Sequence, residues 1–191
     1  METDRKTRII KTAVKRFARH GLNKTTLDEI ARDLRIGKST IYHYFESKEA
    51  LFYQTLEYDA LLYIDDVKQI FNNEQISFKE RLLEYLFYKQ EIYNKYKLLY
   101  DLIIRVLKEE CLETEKEILK KLLLEEENLL KLVLNNFYSI RIELMNPGMP
   151  EFFVMQSWGI LFSKKLNDIR EDSTTNSYKE LLLTCLDNVI A

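Results

Sequence analysis

The chain has 191 residues, enough for one hydrophobic core or two small ones, and 46% of them are apolar, which suits a globular fold. Only four glycines and two prolines occur, so long helices with few turns are expected, and extended low-complexity or collagen-like structure is excluded. The net charge of −2 hides an asymmetry: residues 1–48 hold 12 Lys and Arg against 6 Asp and Glu, a net +6, while residues 49–191 hold 17 against 25, a net −8.

A basic head on an acidic body points to a nucleic-acid partner for the head. The two cysteines, Cys111 and Cys185, fall in separate predicted helices, so a disulfide framework is not expected and a reducing cytoplasm is. The N-terminus is charged, unlike a secretory signal. The longest charge-free run, Phe152 to Ser163, has twelve residues, too few for the roughly 20 that a membrane span needs.

The first predicted helix starts at Thr3 or Asp4 and runs to about His20. Ile9, Ile10, Ala13, Val14, Phe17 and Ala18 form its apolar stripe, and Gly21 is expected to cap it in the left-handed conformation. Arg5 and Lys6, at its start, are placed to touch phosphate or the minor groove. Thr26 with Glu29 is a capping box that opens a second helix, with Leu27, Ile30, Ala31 and Leu34 on one face. Arg35 to Lys38 breaks that pattern, with Gly37 expected to allow the tight turn. A third helix covers about Lys38 to Tyr44, anchored by Ile41 and Phe45, and Ser47 caps a fourth.

Two short helices joined by a four-residue turn form the helix-turn-helix pattern. The second carries few apolar residues and many hydrogen-bonding ones, which suits an element that meets base edges and phosphates. At this point the residues become specific. Thr25-Thr26, Ile30-Ala31, Gly37-Lys38-Ser39-Thr40-Ile41-Tyr42-His43-Tyr44-Phe45 and Ser47-Lys48-Glu49 with Leu51 resemble the DNA-binding domain of the tetracycline-repressor (TetR) family over about Arg5 to Leu56.

The fourth helix is expected over Lys48 to about Phe71. Ser77 with Glu80 is a second capping box, opening a helix to about Tyr93. The next covers about Lys95 to Glu110, with Lys97, Asp101, Arg105 and Lys108 on a polar face where Arg105 is an ion-pair partner. Thr114 with Glu117 is expected to cap a helix running to about Ile140, with Ile118, Leu122, Leu129, Val133 and Phe137 as its stripe. Asn146-Pro147-Gly148-Met149-Pro150 reads as a loop. Pro150 to Asp168 is a helix apolar nearly all round, which must be covered on more than one side. Its Gly159 and Ser163 would admit a close neighbour. Asp172 to Asn176 is a polar linker. A last helix from about Ser177 presents Tyr178, Leu181, Leu182, Cys185, Leu186, Val189 and Ile190, and its natural partner is a second copy.

No cluster with metal-ligand spacing occurs around His20 or His43, and no catalytic or phosphate-loop motif is present, so no enzyme, metal or cofactor is expected. The expected architecture is all-α, about nine helices: a three-helix DNA-binding head, residues 1–48, and a helical effector-binding and dimerisation body, residues 49–191. The resemblance implies a homodimeric regulator, favoured as a repressor, that binds a palindromic double-stranded operator and is released when a small molecule enters the body and tilts the fourth helix. It assigns DNA contacts to Thr26, Lys38, Ser39, Thr40, Tyr42, His43, Tyr44 and Lys48, although His43 departs from the tyrosine typical of that position. The aromatic supply of the body suits an apolar or aromatic effector, with Tyr63, Tyr88, Tyr100, Phe137 and Gln156 as candidate contacts. Trp158, Gly159, Phe162, Leu182, Leu186 and Val189 are the candidate dimer face. Two other classes stay open: a DNA-binding adaptor governed by a protein partner, and a helical carrier of small hydrophobic molecules.

Overall fold

The computed structural model describes residues 2–137, 146–170, 180 and 182–184. All the regular structure in them is helical: α1 (Glu2–Lys24), α2 (Leu27–Leu34), α3 (Lys38–Tyr44), α4 (Lys48–Asn72), α5 (Phe78–Tyr88), a 3₁₀ turn (Lys89–Glu91), α6 (Ile92–Lys95), α7 (Lys97–Leu107), α8 (Glu113–Phe137) and α9 (Met149–Arg170). None of the described helices is long and apolar enough to cross a membrane. The chain packs as two compact units, Met1–Tyr63 with Asn94–Leu122, and Ile64–Tyr93 with Leu123–Ala191.

In the first unit, Ile9, Ala13 and Phe17 of α1 and Leu51, Phe52 and Leu56 of α4 are buried, with Phe17 meeting Phe52 edge-on at 5.2 Å. The start of α7 is capped from another helix. Asp59 of α4 is buried and accepts the backbone N–H groups of Leu98 and Leu99, two of the donors a helix start leaves unsatisfied. Burial raises its pKa to about 6, the two hydrogen bonds opposing that rise. Lys97 pairs with Asp101 one turn along α7, as expected. Arg105 pairs instead with Glu115 at 2.6 Å, and its guanidinium lies 5.8 Å from the Phe52 ring centre. Glu115, not Glu117, also receives the Leu112 N–H at 3.0 Å, so α8 begins at Glu113, ahead of the expected Thr114 box.

The second unit is organised by α9 against α5 and the 3₁₀ turn. Ser77 and Glu80 form the expected reciprocal box, but α5 ends at Tyr88, earlier than the periodicity suggests. The buried stripe of α8 is Ile118, Leu122, Glu126, Leu130 and Leu134, one position round from the expected Leu129, Val133 and Phe137. The stripe turns that way because Glu126 has buried partners. It takes Tyr85 Oη–H at 2.7 Å and Trp158 Nε1–H at 3.0 Å, and it pairs with the Lys89 ammonium. Lys89 lies 4.3 Å from the Trp158 ring centre and 5.1 Å from that of Tyr85.

Within α9, Phe153, Val154, Ser157, Trp158, Ile160 and Leu161 are buried, and Phe152, Met155, Gln156 and Gly159 are exposed. Trp158 thus belongs to its own subunit's core, a correction to its expected place on a dimer face, and the reason is its hydrogen bond to Glu126. Phe162 and Leu182 are half-buried. Leu186 and Val189, and the predicted linker and final-helix stripe apart from Leu182, lie outside the described residues.

Candidate nucleic-acid interface

The head is built by short-range hydrogen bonds that the sequence dictates. Thr26 Oγ1 accepts the Glu29 N–H at 3.3 Å, and the Glu29 carboxylate accepts the Thr26 N–H at 2.9 Å, starting α2. These bonds hold the Glu29 carboxyl below its ordinary pKa, the Thr26 backbone bond being the largest cause. Helix α2 ends with Arg35 in the left-handed region (φ 54°, ψ 44°), and Ile36 N–H reaches back to Ala31 O at 3.0 Å. The positive φ of the turn therefore falls on Arg35, not on Gly37, whose φ is −74°. Gly37 instead precedes α3 as its N-cap, without a side-chain hydrogen bond.

Gly21 also differs from expectation. Its φ of 75° and ψ of 171° lie in a region essentially restricted to glycine, and a further short turn reaches Lys24. The buried Thr25 hydroxyl donates to Gly21 O at 2.8 Å and fixes that bend.

Helix α3 is anchored by Ile41 and Phe45, 0% and 4% exposed, against the rest of the head. Its opposite side is open: Lys38, Ser39, Tyr42 and His43 are exposed, Tyr42 by 50%, and Thr40 and Tyr44 are half-buried. The structure thus brings the six expected residues of this helix to one accessible element. His43 and Tyr44 meet edge-on at 5.1 Å. Lys38 Nζ is 2.8 Å from Asp28 Oδ2, a hydrogen bond that raises the lysine pKa and leaves the ammonium charged. Thr26 stands at the exposed start of α2. Lys48 Nζ donates to Leu22 O at 2.9 Å, so α4 is tied to the end of α1 by the same ammonium expected to meet phosphate. Lys6 stands 5.7 Å from the Phe45 ring centre, and Arg5 is exposed.

Arg16 carries no signal in the sequence pattern. It forms a two-pronged pair with Asp33, Nε to Oδ2 and Nη2 to Oδ1 both at 2.6 Å, and so locks α1 to α2. The hydrogen bond to Arg16 is the main cause holding Asp33 below the usual carboxylate range. The two residues are 17 apart in sequence, beyond any local spacing rule.

The five candidate effector contacts are divided between the two units. Tyr63, fully buried and edge-on to Tyr96 at 6.0 Å, and Tyr100 belong to the first unit. Tyr88, which donates to Asp66, Phe137, which stacks on Phe78 at 3.9 Å, and the exposed Gln156 belong to the second. Among the described residues, no three His, Cys, Asp or Glu side chains converge where a metal could sit.

A capped helix pair with one exposed, hydrogen-bonding helix, in a chain whose described regular structure is all helical, defines a helix-turn-helix protein. Residues 9–55 match the model of the bacterial regulatory proteins of the tetR family. The head thus matches that family by sequence, and the chain shares its fold with the solved regulators named below. Over 91 residues it is 33% identical to IcaR of Staphylococcus aureus (strain Newman), the negative transcriptional regulator of the biofilm operon icaADBC, a match that covers 46% of this chain and 49% of IcaR. It spans only 17–27% of three Bacillus subtilis helix-turn-helix regulators that it also matches. Salmonella enterica GusR has a similar fold, with a TM-score of 0.68 and 19% identity over 97% of this chain and 94% of GusR. So does Bacillus subtilis FadR in complex with stearoyl-CoA, with a TM-score of 0.59 and 20% identity over 93% and 97%.

Proposed function

We propose that the protein is a ligand-responsive transcriptional repressor, not an enzyme, that binds a palindromic double-stranded DNA operator as a homodimer in the cytoplasm. The observation that carries this reading is the open face of α3, with Lys38, Ser39, Thr40, Tyr42 and His43 accessible while Ile41 and Phe45 hold the helix in place. Thr40, Tyr42 and His43 read base edges, with Tyr44 beside them. Thr26, Lys38, Ser39 and Lys48 position the head on phosphates. The net charge of +6 on residues 1–48 supports this division of labour, with residues 49–191 as the effector and dimerisation body. The negative regulation named for IcaR supports repression, and the acyl-CoA held by FadR supports a small-molecule effector.

For such an effector to release DNA it must favour the DNA-incompetent conformation by the whole of the coupling free energy. The exposed stripe Phe152, Met155, Gln156 and Gly159 on α9, with Phe162, Leu182, Leu186 and Val189, is the proposed contact with the second subunit. Selection from a random duplex library tests the reading. It is expected to return a near-palindrome with half-sites about one helical turn, roughly 34 Å, apart. Binding without any palindromic preference would overturn it.

A further inference from the structure

The Ser77–Glu80 box fixes where α5 starts, and thereby places Phe78 and Arg81, three residues apart, on one face of its first turn. Arg81 reaches back to the end of α4, where its Nη1 donates to Phe71 O at 2.6 Å. Its guanidinium stands 5.7 Å from the Phe78 ring centre, and Phe78 is itself stacked on Phe137. Arg81 Nε is buried and donates to nothing. Such an N–H is a standing cost of the conformation that holds it, because no protein acceptor replaces the hydrogen bond it lost on burial. The same side chain lines an open cleft of about 490 Å³ whose apolar wall is Phe71, Phe78, Val133 and Phe137. That volume lies within the range of about 300–1,000 Å³ typical of small-molecule sites.

Asn72, Glu74 and Asn136 line the rest of the cleft, so an apolar wall with one cationic fork beside it calls for a small ligand with one anionic head and a short apolar tail. The edge of the fork not used by Phe71 O is Nε with Nη2, the geometry that takes a carboxylate side-on, and because Nε is buried the side chain must turn to present that edge to the cleft. Glu74 also lines the cleft, which disfavours a second negative charge on the ligand. We propose that this cleft binds a small organic monocarboxylate, its head on the Nε edge of Arg81 and its tail against Phe71, Val133 and Phe137. The carboxylate meets this N–H only once the Arg81 side chain has turned toward the cleft, so binding favours the turned conformation by a contact only that conformation makes. The assignment of this ligand as the effector rests on the proposed repressor function.

Calorimetric titration of the full chain with octanoate, benzoate, octanamide and octylammonium tests the cleft. One of the two acids is expected to bind saturably, one per chain, and whichever binds more tightly shows whether the tail is straight or aromatic. Octanamide and octylammonium are expected to bind at least roughly tenfold more weakly than the preferred acid. Arg81→Met, with its helicity checked by circular dichroism, is expected to lose at least as much. Val133→Trp fills the cleft without touching the guanidinium and is expected to abolish binding. Acid and amide of equal affinity, tighter binding of the amine, acid affinity unchanged in both variants, or no binding of either acid at millimolar concentration would each overturn the proposal. Duplex binding is followed separately by fluorescence anisotropy. A chain that binds its selected duplex but neither acid sinks the cleft assignment alone. One that binds the acid through Arg81 but shows no preference among duplexes sinks the repressor reading alone.

Discussion

The Lys89 ammonium and the Glu126 carboxylate meet with neither side chain exposed to solvent. Each charge therefore depends on the other and on the groups around it. Glu126 also has Tyr85 and Trp158 as neutral donors, whereas the Lys89 ammonium has the Trp158 and Tyr85 rings as cation–π walls. Burial lowers the Lys89 pKa to about 8, with Glu126 opposing the fall, so near neutral pH the Lys89 ammonium keeps its charge.

Removing the carboxylate is expected to cost more than removing the ammonium. Glu126→Leu takes the carboxylate from a buried ammonium and removes an acceptor from the Trp158 indole N–H and from the Tyr85 hydroxyl, which keeps Ser157 Oγ at 3.1 Å. A loss of about 3–5 kcal/mol is expected, the range for breaking a buried pair from one side. Lys89→Met leaves Glu126 with its two neutral donors and is expected to cost less. Trp158 is the only tryptophan in the chain, so urea unfolding followed by its fluorescence reads this unit directly. A smaller loss for Glu126→Leu than for Lys89→Met would contradict this account of the cluster.

Asp59 gives the first unit a pH dependence of opposite sense to that of an ordinary exposed ion pair. Its carboxyl titrates at about 6 in the folded chain against an ordinary value of 3.8, because burial disfavours the charge. Between those values the folded state holds a proton that the unfolded state has released. Stability therefore falls as pH rises from about 4 to 6, and the penalty is fully present at neutral pH. At about 1.4 kcal/mol for each pH unit between the two values, the penalty has a ceiling of about 3 kcal/mol. Asp59→Asn keeps an oxygen for the Leu98 and Leu99 amides without the charge. It is expected to stabilise the protein at pH 7 by about 1–3 kcal/mol and to match the parent near pH 4. Thermal melts across pH 4–7 decide this, and equal midpoints at pH 7 would contradict it.

What could be read in the chain was whatever short spacing encodes. Thr26 with Glu29 and Ser77 with Glu80 each close within one turn, so both helix starts were legible before any fold was known. The open face of α3 was legible as well, because seven residues with one apolar anchor cannot lie in a core. Lys89 and Glu126 are 37 residues apart, and Arg16 and Asp33 are 17 apart, so each looked like one more surface charge on an amphipathic helix. Glu126 had a further consequence, since a carboxylate in the buried stripe of α8 moved Leu130 and Leu134 inward where periodicity alone favoured Leu129 and Val133. The left-handed Arg35 was hidden because Gly37, two residues on, is the residue that ordinarily takes a positive φ.

Lys48 and Thr40 separate the two kinds of DNA contact proposed for the head. Lys48→Ala removes one phosphate charge and also the bond to Leu22 O. It is expected to weaken all duplexes about equally and to flatten the salt slope by roughly one unit. Thr40→Ala or His43→Ala is expected instead to relax preference at one base-pair position by about 1–3 kcal/mol, leaving the salt slope alone. Binding measured at several salt concentrations on the selected site and its single-base variants distinguishes them. A change of base preference in Lys48→Ala with an unaltered salt slope would reverse the two roles.

Gly159 isolates the proposed dimer contact from the subunit's own stability. It lies exposed on α9 beside Met155 and Gln156, and a Cβ built there meets nothing within 4 Å. A methyl group there thus meets open space, and replacing glycine inside a helix favours the helix by about 0.8–1.0 kcal/mol when alanine takes its place. Gly159→Ala is therefore expected to leave the isolated subunit as stable as before or slightly more so. Gly159→Leu starts from the same open space at Cβ. In a dimer joined through this face it would hold the facing helix away, and such overpacking typically costs about 1–3 kcal/mol. Leu182→Glu adds an unpaired charge to the same proposed contact. Both are expected to sediment as folded monomers at micromolar concentration and to lose affinity for the palindrome, since one head makes only half of the contacts. Folded Gly159→Leu and Leu182→Glu proteins that both still sediment as dimers would place the subunit contact on another face.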